Sequence, residues 1–286
     1  MHHSNLCDTF YPSFGADLII ALIGAVLGLG GAYFIYLFSI WQVRNDRLKY
    51  VVSLIKKIAP SAIRQGVYCK EHAERIISNP FSNENLKLEA NRDPKRLADK
   101  VDQEGVYHAF LWKYKRTQET YKLFQELYGL IDYIDYLVDD LIDTNERILN
   151  SRWGRKKNYQ LTFKKARDTI QSFTLIQELT ETQPDLVKYA VSLLEQFTRS
   201  QPTGENIAES YKIVVEPLQS YITIKASRHT KVTELMFLLQ DLSNEYHGIE
   251  LSSKHNAEDY KYYADKLETT ANKLIDCSKN LRIDFV

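Results

Sequence analysis

The sequence LIIALIGAVLGLGGAYFIYLFSIW, residues 18–41, decides the architecture, because none of its 24 positions carries a charged side chain. A helix rises about 1.5 Å per residue, so this stretch extends roughly 36 Å, enough to cross a hydrocarbon core of about 30 Å. The rest of the chain is rich in charge, and a buried helix of a soluble protein seldom stays apolar over this length. We therefore predict a single N-terminal transmembrane helix over residues 17–43.

The charges that flank this stretch predict its orientation. No Lys or Arg precedes it, whereas Arg44, Arg47 and Lys49 follow it closely. Because positive charge stays on the cytoplasmic side of a membrane, we expect residues 1–16 outside and residues 44–286 in the cytoplasm. A cleaved signal peptide has a basic region and a shorter apolar core, so we expect the segment to remain as an anchor in the cell inner membrane.

Whole-chain charge and cysteine content limit the function classes. The 37 Lys and Arg residues balance the 37 Asp and Glu residues, so bulk charge predicts no general attraction to nucleic acid. Of the three cysteines, Cys7 is expected outside, and Cys69 and Cys277 are expected in the cytoplasm. This distribution excludes an even disulfide framework, and we expect the cytoplasmic pair to be reduced, packed thiols.

Apolar residues recur at helical spacing through the cytoplasmic part, and no stretch shows a long alternation typical of strands. The predicted fold class is all-α, with a large cytoplasmic multi-helix domain. Start and stop signals at Pro184, Thr203, Gly248 and Asn256 agree with this periodicity. The predicted helices cover 46–77 with a kink at Pro60, then 95–150, 159–181, 184–199, 205–227, 231–248 and 257–281, with a loop at 79–94.

One seam of the apolar helix is lined by small residues. Its members, spaced alternately by four and three positions, are Asp17, Ala21, Gly24, Gly28, Gly31, Ile35 and Phe38. Every member from Ala21 to Gly31 is small, and small residues let helix backbones approach each other inside a bilayer. The seam therefore predicts a homo-oligomer.

The seam has two interpretations. Two helices would close on the glycines and form a dimeric anchor, with Asp17 near the first turn, where its charge suits the helix dipole. Four or more helices would leave a central conduit, with Asp17 in an acidic ring at the outer mouth. Ile35 and Phe38 would then form an apolar constriction that gates by dewetting.

A basic block follows the middle of the chain. Its residues are Arg152, Trp153, Arg155, Lys156, Lys157, Lys164, Lys165 and Arg167, with no acidic residue between Ser151 and Arg167. Guanidinium groups beside aromatic rings suit phosphate and base stacking, which predicts a site for an anionic oligonucleotide or nucleotide signal. The alternatives are a solvated face, folded back by a turn over 152–158 onto upstream acidic residues, and a contact with anionic lipids.

Catalytic motifs are absent from the sequence. It contains no phosphate-binding glycine loop, no Gly-x-Ser-x-Gly, no His-Glu-x-x-His and no Cys-x-x-Cys. Asp132, Asp135, Asp139 and Asp143 recur at helical spacing, but no Glu-x-x-His partner accompanies them, so we interpret them as a solvated or salt-bridged face. We expect no enzyme activity, no cofactor and no metal site.

A short outward N-terminus, a span with Gly24-x-x-x-Gly28 and a large cytoplasmic helical domain without an active site resemble the membrane effectors of bacterial anti-phage defence, particularly the Hailong type of channel effector. The resemblance lies in the layout of the whole chain. It implies a tetrameric ion channel whose cytoplasmic domain responds to a nucleic-acid signal made by a partner nucleotidyltransferase, and whose opening depolarises the infected cell. The alternative is a non-conducting membrane anchor or adaptor whose helical domain docks a cytosolic protein.

Overall fold

A computed structural model describes residues 11–89, 102–114, 117–200, 206–224 and 229–280. Within these ranges the backbone is helical apart from short connections, and it forms no strand, which confirms the all-α class. The helices are α1 Tyr11–Ser78, α2 Gln103–Tyr114, α3 Gln118–Phe173, α4 Gln177–Thr182, α5 Pro184–Ser200, α6 Ile207–Ser210, α7 Glu216–Ile224 and α8 Thr230–Asn280, with a π-helical turn at Tyr211–Val215 between α6 and α7.

Helix α1 contains the apolar stretch and continues without a break to Ser78, with Pro60 inside it. One part of this helix is long and apolar enough to cross a membrane. Its 18-residue apolar window has a mean hydropathy of 2.4, and none of that window is buried within the protomer. The single N-terminal apolar helix followed by a multi-helix domain is therefore as predicted.

Two predicted helix breaks are wrong. Helix α3 runs unbroken through 152–158, so the basic block does not fold back on the acidic residues before it. Helix α8 likewise runs through Gly248 and Asn256. Gly248 therefore does not end a helix, and it lies close to Arg155 on α3, since a Cβ there would be 2.6 Å from Nη1 of that side chain.

Other observed helix boundaries differ from the predicted ones, or the predicted boundaries lie outside the described ranges. The predicted 95–150 helix is replaced by α2 and the first part of α3, and the predicted 159–181 helix by the end of α3 and the short α4. Thr203 and Cys7 are outside the described residues, and Asn206 caps α6 instead, its side chain accepting from the amide of Glu209 at 3.1 Å.

The chain forms two compact units, divided within α1 and α3 and near the end of α8. The first comprises residues 1–57, 92–129 and 274–286. Leu48, Val51 and Ile55 of α1 are buried there, as are Phe110 of α2 and Leu127 of α3. The Phe110 ring meets Phe124 edge to face, with ring centres 5.4 Å apart, so aromatic packing joins α2 to α3.

The start of α2 lies close to α1 within this first unit. Asp102 caps the helix, since its Oδ1 accepts from the Gly105 amide at 3.0 Å, and its other oxygen pairs with Nη2 of Arg47 at 3.3 Å. A Cβ on Gly105 would overlap both the Arg47 guanidinium and the Asp102 carboxylate. A larger residue at this position would therefore force the Arg47 and Asp102 side chains to shift.

The second unit comprises residues 58–91 and 130–273. Here α1 and α8 approach closely at Gly66, where a Cβ would lie 3.1 Å from the Ala264 carbonyl oxygen. Tyr260 is fully buried and donates to Oδ1 of Asn145 on α3 at 2.9 Å. These contacts hold α1, α3 and α8 together around the site described next.

Candidate functional site

The predicted seam lies open on the surface of the protomer. All seven residues from Asp17 to Phe38 that define it are exposed. A Cβ built on Gly24, Gly28 or Gly31 would meet nothing within 4 Å. Within the described part of the chain, these small residues therefore make no packing contact with other elements.

The basic block divides between two environments. Arg152 and Lys156, one helical turn apart on α3, are buried, with only 4% and 9% of their surface exposed. Arg155 pairs with Glu245 of α8 at 3.3 Å. The remaining residues are exposed: Trp153, Lys157, Lys164, Lys165 and Arg167. The block predicted as one site is thus two buried cations, a partly buried arginine in an ion pair and a set of exposed side chains.

The two buried cations bind the connection that follows α1. Lys156 Nζ donates to the carbonyl oxygens of Phe81 and Ser82 and to Oδ1 of Asn83, at 2.9, 2.5 and 2.9 Å. Arg152 Nη2 donates to the carbonyl oxygens of Pro80 and Ser82 at 3.2 and 3.1 Å. This contact joins parts of the sequence about 70 positions apart, and it fixes residues 80–83 beside α3.

Further contacts hold the same connection against α1. The Gln65 side chain donates to the Lys87 carbonyl oxygen at 3.2 Å and accepts from the Glu89 amide at 2.7 Å. Nearer the end of α1, Arg75 pairs with Glu84 at 3.5 Å. Residues 79–89, here called the return segment, therefore run back along α1.

An aromatic contact completes the placement of the return segment. The Phe81 ring stacks on Tyr246 of α8, with centres 4.8 Å apart, and Tyr246 stacks on Tyr211 at 3.8 Å. Tyr211 begins the π-helical turn. Polar contacts on one side and stacked rings on the other thus give the segment a defined position without regular secondary structure.

Neither buried cation has an acidic partner in the described part of the chain. Burial lowers the pKa of Lys156 to about 8, and the nearby Arg152 acts in the same direction. Burial also lowers the pKa of Arg152. Because neutral oxygens alone oppose two adjacent positive charges, the site has an excess of positive charge that an anion would balance.

A cavity of about 310 Å³ opens between the return segment and α3. Its lining residues are Ser82, Asn83, Glu84, Asn85, Leu149, Asn150, Arg152, Trp153 and Lys156. Two buried polar atoms of the lining residues, Nε of Arg152 and Oγ of Ser82, have no hydrogen-bond partner in the described part of the chain. Both can donate to an acceptor, so the wall of the cavity contains two covered, unused donors next to uncompensated positive charge.

His72 of α1 is fully buried, and neither of its ring nitrogens has a hydrogen-bond partner among the described residues. Its ring meets Tyr260 edge to face, with centres 4.9 Å apart. Burial lowers its pKa to about 4, helped by the positive charges of Arg152 and Arg75. The imidazole is therefore neutral at physiological pH and adds no charge to the site.

Sequence reasoning identified Arg152, Trp153 and Lys156 but missed the other side of the pocket. Ser82 and Asn83 fall in the predicted loop, yet no motif links that loop to the basic block. The abundance of small polar side chains in the loop was the only available signal.

Asp132, Asp139 and Asp143 belong to no group of three potential metal ligands in the described ranges.

Cys69 and Cys277 are both buried free thiols, as the sequence predicted. Burial raises the pKa of each to about 11, which keeps them protonated and unreactive at neutral pH.

Compared with known proteins, the chain matches no protein family, no curated protein and no solved structure. Its function is therefore inferred from its own residues.

Proposed function

We propose that this protein is a homo-oligomeric membrane effector whose apolar helix forms a gated ion channel, controlled by a signal that binds the helical domain. One observation carries the proposal: the apolar window of α1 is wholly exposed in the protomer, and its glycine seam is open. An exposed apolar helix of this length suits a lipid environment, which supports membrane insertion. Its small residues offer the surface by which copies meet there.

The order of polar and apolar residues along the seam supports a conduit. Asp17 stands at the N-terminal end of the exposed stretch, and one carboxylate from each copy would form an acidic ring that attracts cations. Ile35 and Phe38 would narrow the conduit about 27 to 32 Å further along, at about 1.5 Å per residue. Arg44 and Lys49 follow, which favours a cytoplasmic helical domain.

The layout resemblance extends this proposal to a biological setting. It suggests a tetramer in the inner membrane that takes part in anti-phage defence, responding to an oligonucleotide or nucleotide made by a partner nucleotidyltransferase. Opening would then depolarise the infected cell. The excess positive charge at Arg152 and Lys156 supports an anionic signal.

The experiment is conductance of the purified protein in planar bilayers. We expect wild-type protein to pass ions and Asp17→Asn to reduce its preference for cations. Asp46→Asn is the matched control, because Asp46 is an exposed residue of the same helix beyond the apolar stretch. Absence of current from correctly inserted protein, both alone and with an added nucleotide, would favour the adaptor interpretation, and unchanged selectivity in Asp17→Asn would remove the acidic ring.

A further inference from the structure

We infer that the cavity between the return segment and α3 binds the phosphoryl group of a nucleotide-sized ligand. Arg152, Lys156 and Ser82 would surround the phosphoryl oxygens, and Trp153 would lie beside the aromatic base of the ligand. This inference rests on the proposed function, since it specifies the chemical class and the place of the controlling signal. It narrows the eight-residue basic block to three of its members and adds Ser82, which belongs to a different part of the chain.

The charge of the cavity indicates an anion. Arg152 and Lys156 are both more than nine-tenths buried and share the carbonyl oxygen of Ser82 as an acceptor. In the described part of the chain no carboxylate pairs with either of them. Glu84 also lines the cavity, but its carboxylate is directed to Arg75. A phosphoryl group would supply the missing negative charge and accept several hydrogen bonds at once.

The donors of the cavity indicate how the anion is held. Arg152 Nε and Ser82 Oγ are buried and have no partner among the described residues, so once the cavity wall shifts to uncover them they can donate without breaking an existing hydrogen bond. The three protons of Lys156 already meet three acceptors, of which two are backbone carbonyls and the third is the Asn83 side chain. Asn83 is exposed, so its amide can rotate into solvent and give its place to a phosphoryl oxygen.

The size and edge of the cavity indicate what else the ligand carries. A volume of about 310 Å³ lies at the lower end of the range for small-molecule pockets, of roughly 300 to 1,000 Å³. It exceeds the needs of a lone phosphate and suits one phosphoryl group with one attached ring system. Trp153 lines the cavity with 66% of its surface exposed, and Lys157 Nζ lies 4.9 Å from its ring centre. An aromatic base would stack on this ring.

Isothermal titration calorimetry on the full chain in detergent tests the inference with defined probes. These are adenosine 5′-monophosphate, adenosine, inorganic phosphate and glycerol 3-phosphate, the last standing for a lipid headgroup. We expect adenosine monophosphate to bind about tenfold or more tightly than adenosine, because charge-assisted hydrogen bonds contribute that much. It should also bind about fivefold or more tightly than either small phosphate, because of base stacking.

Variants locate the binding site. Lys156→Met should weaken adenosine monophosphate binding by about tenfold or more, whereas Lys164→Met, an exposed lysine of the same helix, should leave it unchanged. If Lys156→Met unfolds, Trp153→Ala serves instead, because Trp153 is largely exposed. That variant should reduce adenosine monophosphate binding to the level of inorganic phosphate.

Three results would overturn the inference: no binding of any phosphorylated probe, binding unaffected by both Lys156→Met and Trp153→Ala, or glycerol 3-phosphate binding as tightly as the nucleotide. The last result would identify a lipid headgroup site. Calorimetry requires no ion current, so loss of binding and loss of conduction are separate outcomes. If the protein binds the nucleotide but passes no ions with the nucleotide bound, the proposed channel is contradicted and the inferred pocket is still supported.

Discussion

Lys156 Nζ lies 2.9 Å from Oδ1 of Asn83, a neutral amide, although the lysine is almost completely buried. A buried ammonium usually faces a carboxylate, because removal of a charge from water costs free energy that a neutral oxygen offsets only in part. Here the two other acceptors are also neutral. The amide at position 83 therefore keeps the positive charge of the pocket available.

Asn83→Asp should place a carboxylate where we infer that the ligand's phosphoryl group binds. The new carboxylate would remain exposed on one side, so its own desolvation cost is small and the new ion pair should stabilise the fold by about 1 kcal/mol, raising the Tm by about 2 °C. The same change should weaken adenosine monophosphate binding by about tenfold, because the carboxylate competes for Lys156. Differential scanning fluorimetry and calorimetry measure the two effects.

Asn158→Asp provides the control, since Asn158 is an exposed residue of α3, the helix that carries Lys156. It should change neither the Tm nor the affinity appreciably. A lower Tm for Asn83→Asp, or undiminished nucleotide binding, would show that Lys156 carries no unbalanced charge.

His72 should make the protein sensitive to mild acid. Its folded pKa of about 4 lies below its ordinary value of about 6.5, so between these pH values the unfolded chain binds a proton that the folded chain does not. The stability that neutral His72 contributes is complete above pH 6.5 and is lost as the pH falls toward 4. Over this window the wild type should lose roughly 2 kcal/mol from this residue alone.

His72→Leu should remove that part of the acid sensitivity. Neither ring nitrogen has a hydrogen-bond partner in the described part of the chain, so at about pH 7 the substitution should change the free energy of unfolding by less than about 1 kcal/mol. Denaturant unfolding at about pH 7 and about pH 4.5 compares the two proteins across the His72 window, with His255→Leu as the exposed control. Equal loss of stability in wild type and His72→Leu would assign the acid response to other groups.

Gly105→Ala should leave the first unit less stable than a glycine-to-alanine change at an open helical position. The added methyl group would overlap the ends of the Arg47 and Asp102 side chains, so these side chains must shift and weaken their ion pair or the helix cap, at a cost of about 1 kcal/mol. Gly129→Ala is the matched control, because Gly129 is also in a helix and a Cβ there meets nothing within 4 Å. That control should gain up to about 1 kcal/mol from helix propensity. Thermal melts in which the Tm of Gly105→Ala equals or exceeds that of Gly129→Ala would contradict the close contact of Gly105 with Arg47 and Asp102.

The length of the helices was the least predictable part of the fold. Periodicity identified the all-α class and the apolar stretch, because both depend on local pattern. It could not show that α8 passes through Gly248, since a glycine typical of a helix end lies there inside a helix that packs beside Arg155 of α3. Tertiary packing of this kind overrides a local signal and leaves no trace in the sequence nearby.

The pocket was predictable in only one of its two halves. A run of basic residues with interleaved aromatic residues pointed to Arg152, Trp153 and Lys156, but it gave no reason to separate them from Lys164 or Arg167. That separation depends on which face of α3 meets the return segment. Contacts between residues about 70 positions apart cannot be derived from spacing within either segment.

The central claim is that copies of the apolar helix meet along the glycine seam in the membrane. Disulfide cross-linking in native membranes tests it most directly. One cysteine is introduced, at Gly28 or at Gly30, in a Cys7→Ser background. The native Cys69 and Cys277 are kept, because both are buried and unreactive. Both glycines have open space around them, and Gly30 points about 200° away from Gly28 around the helix. We predict that mild oxidation covalently links Gly28→Cys protomers and leaves Gly30→Cys protomers monomeric. Efficient linkage of Gly30→Cys without linkage of Gly28→Cys, or none in either, would contradict the account.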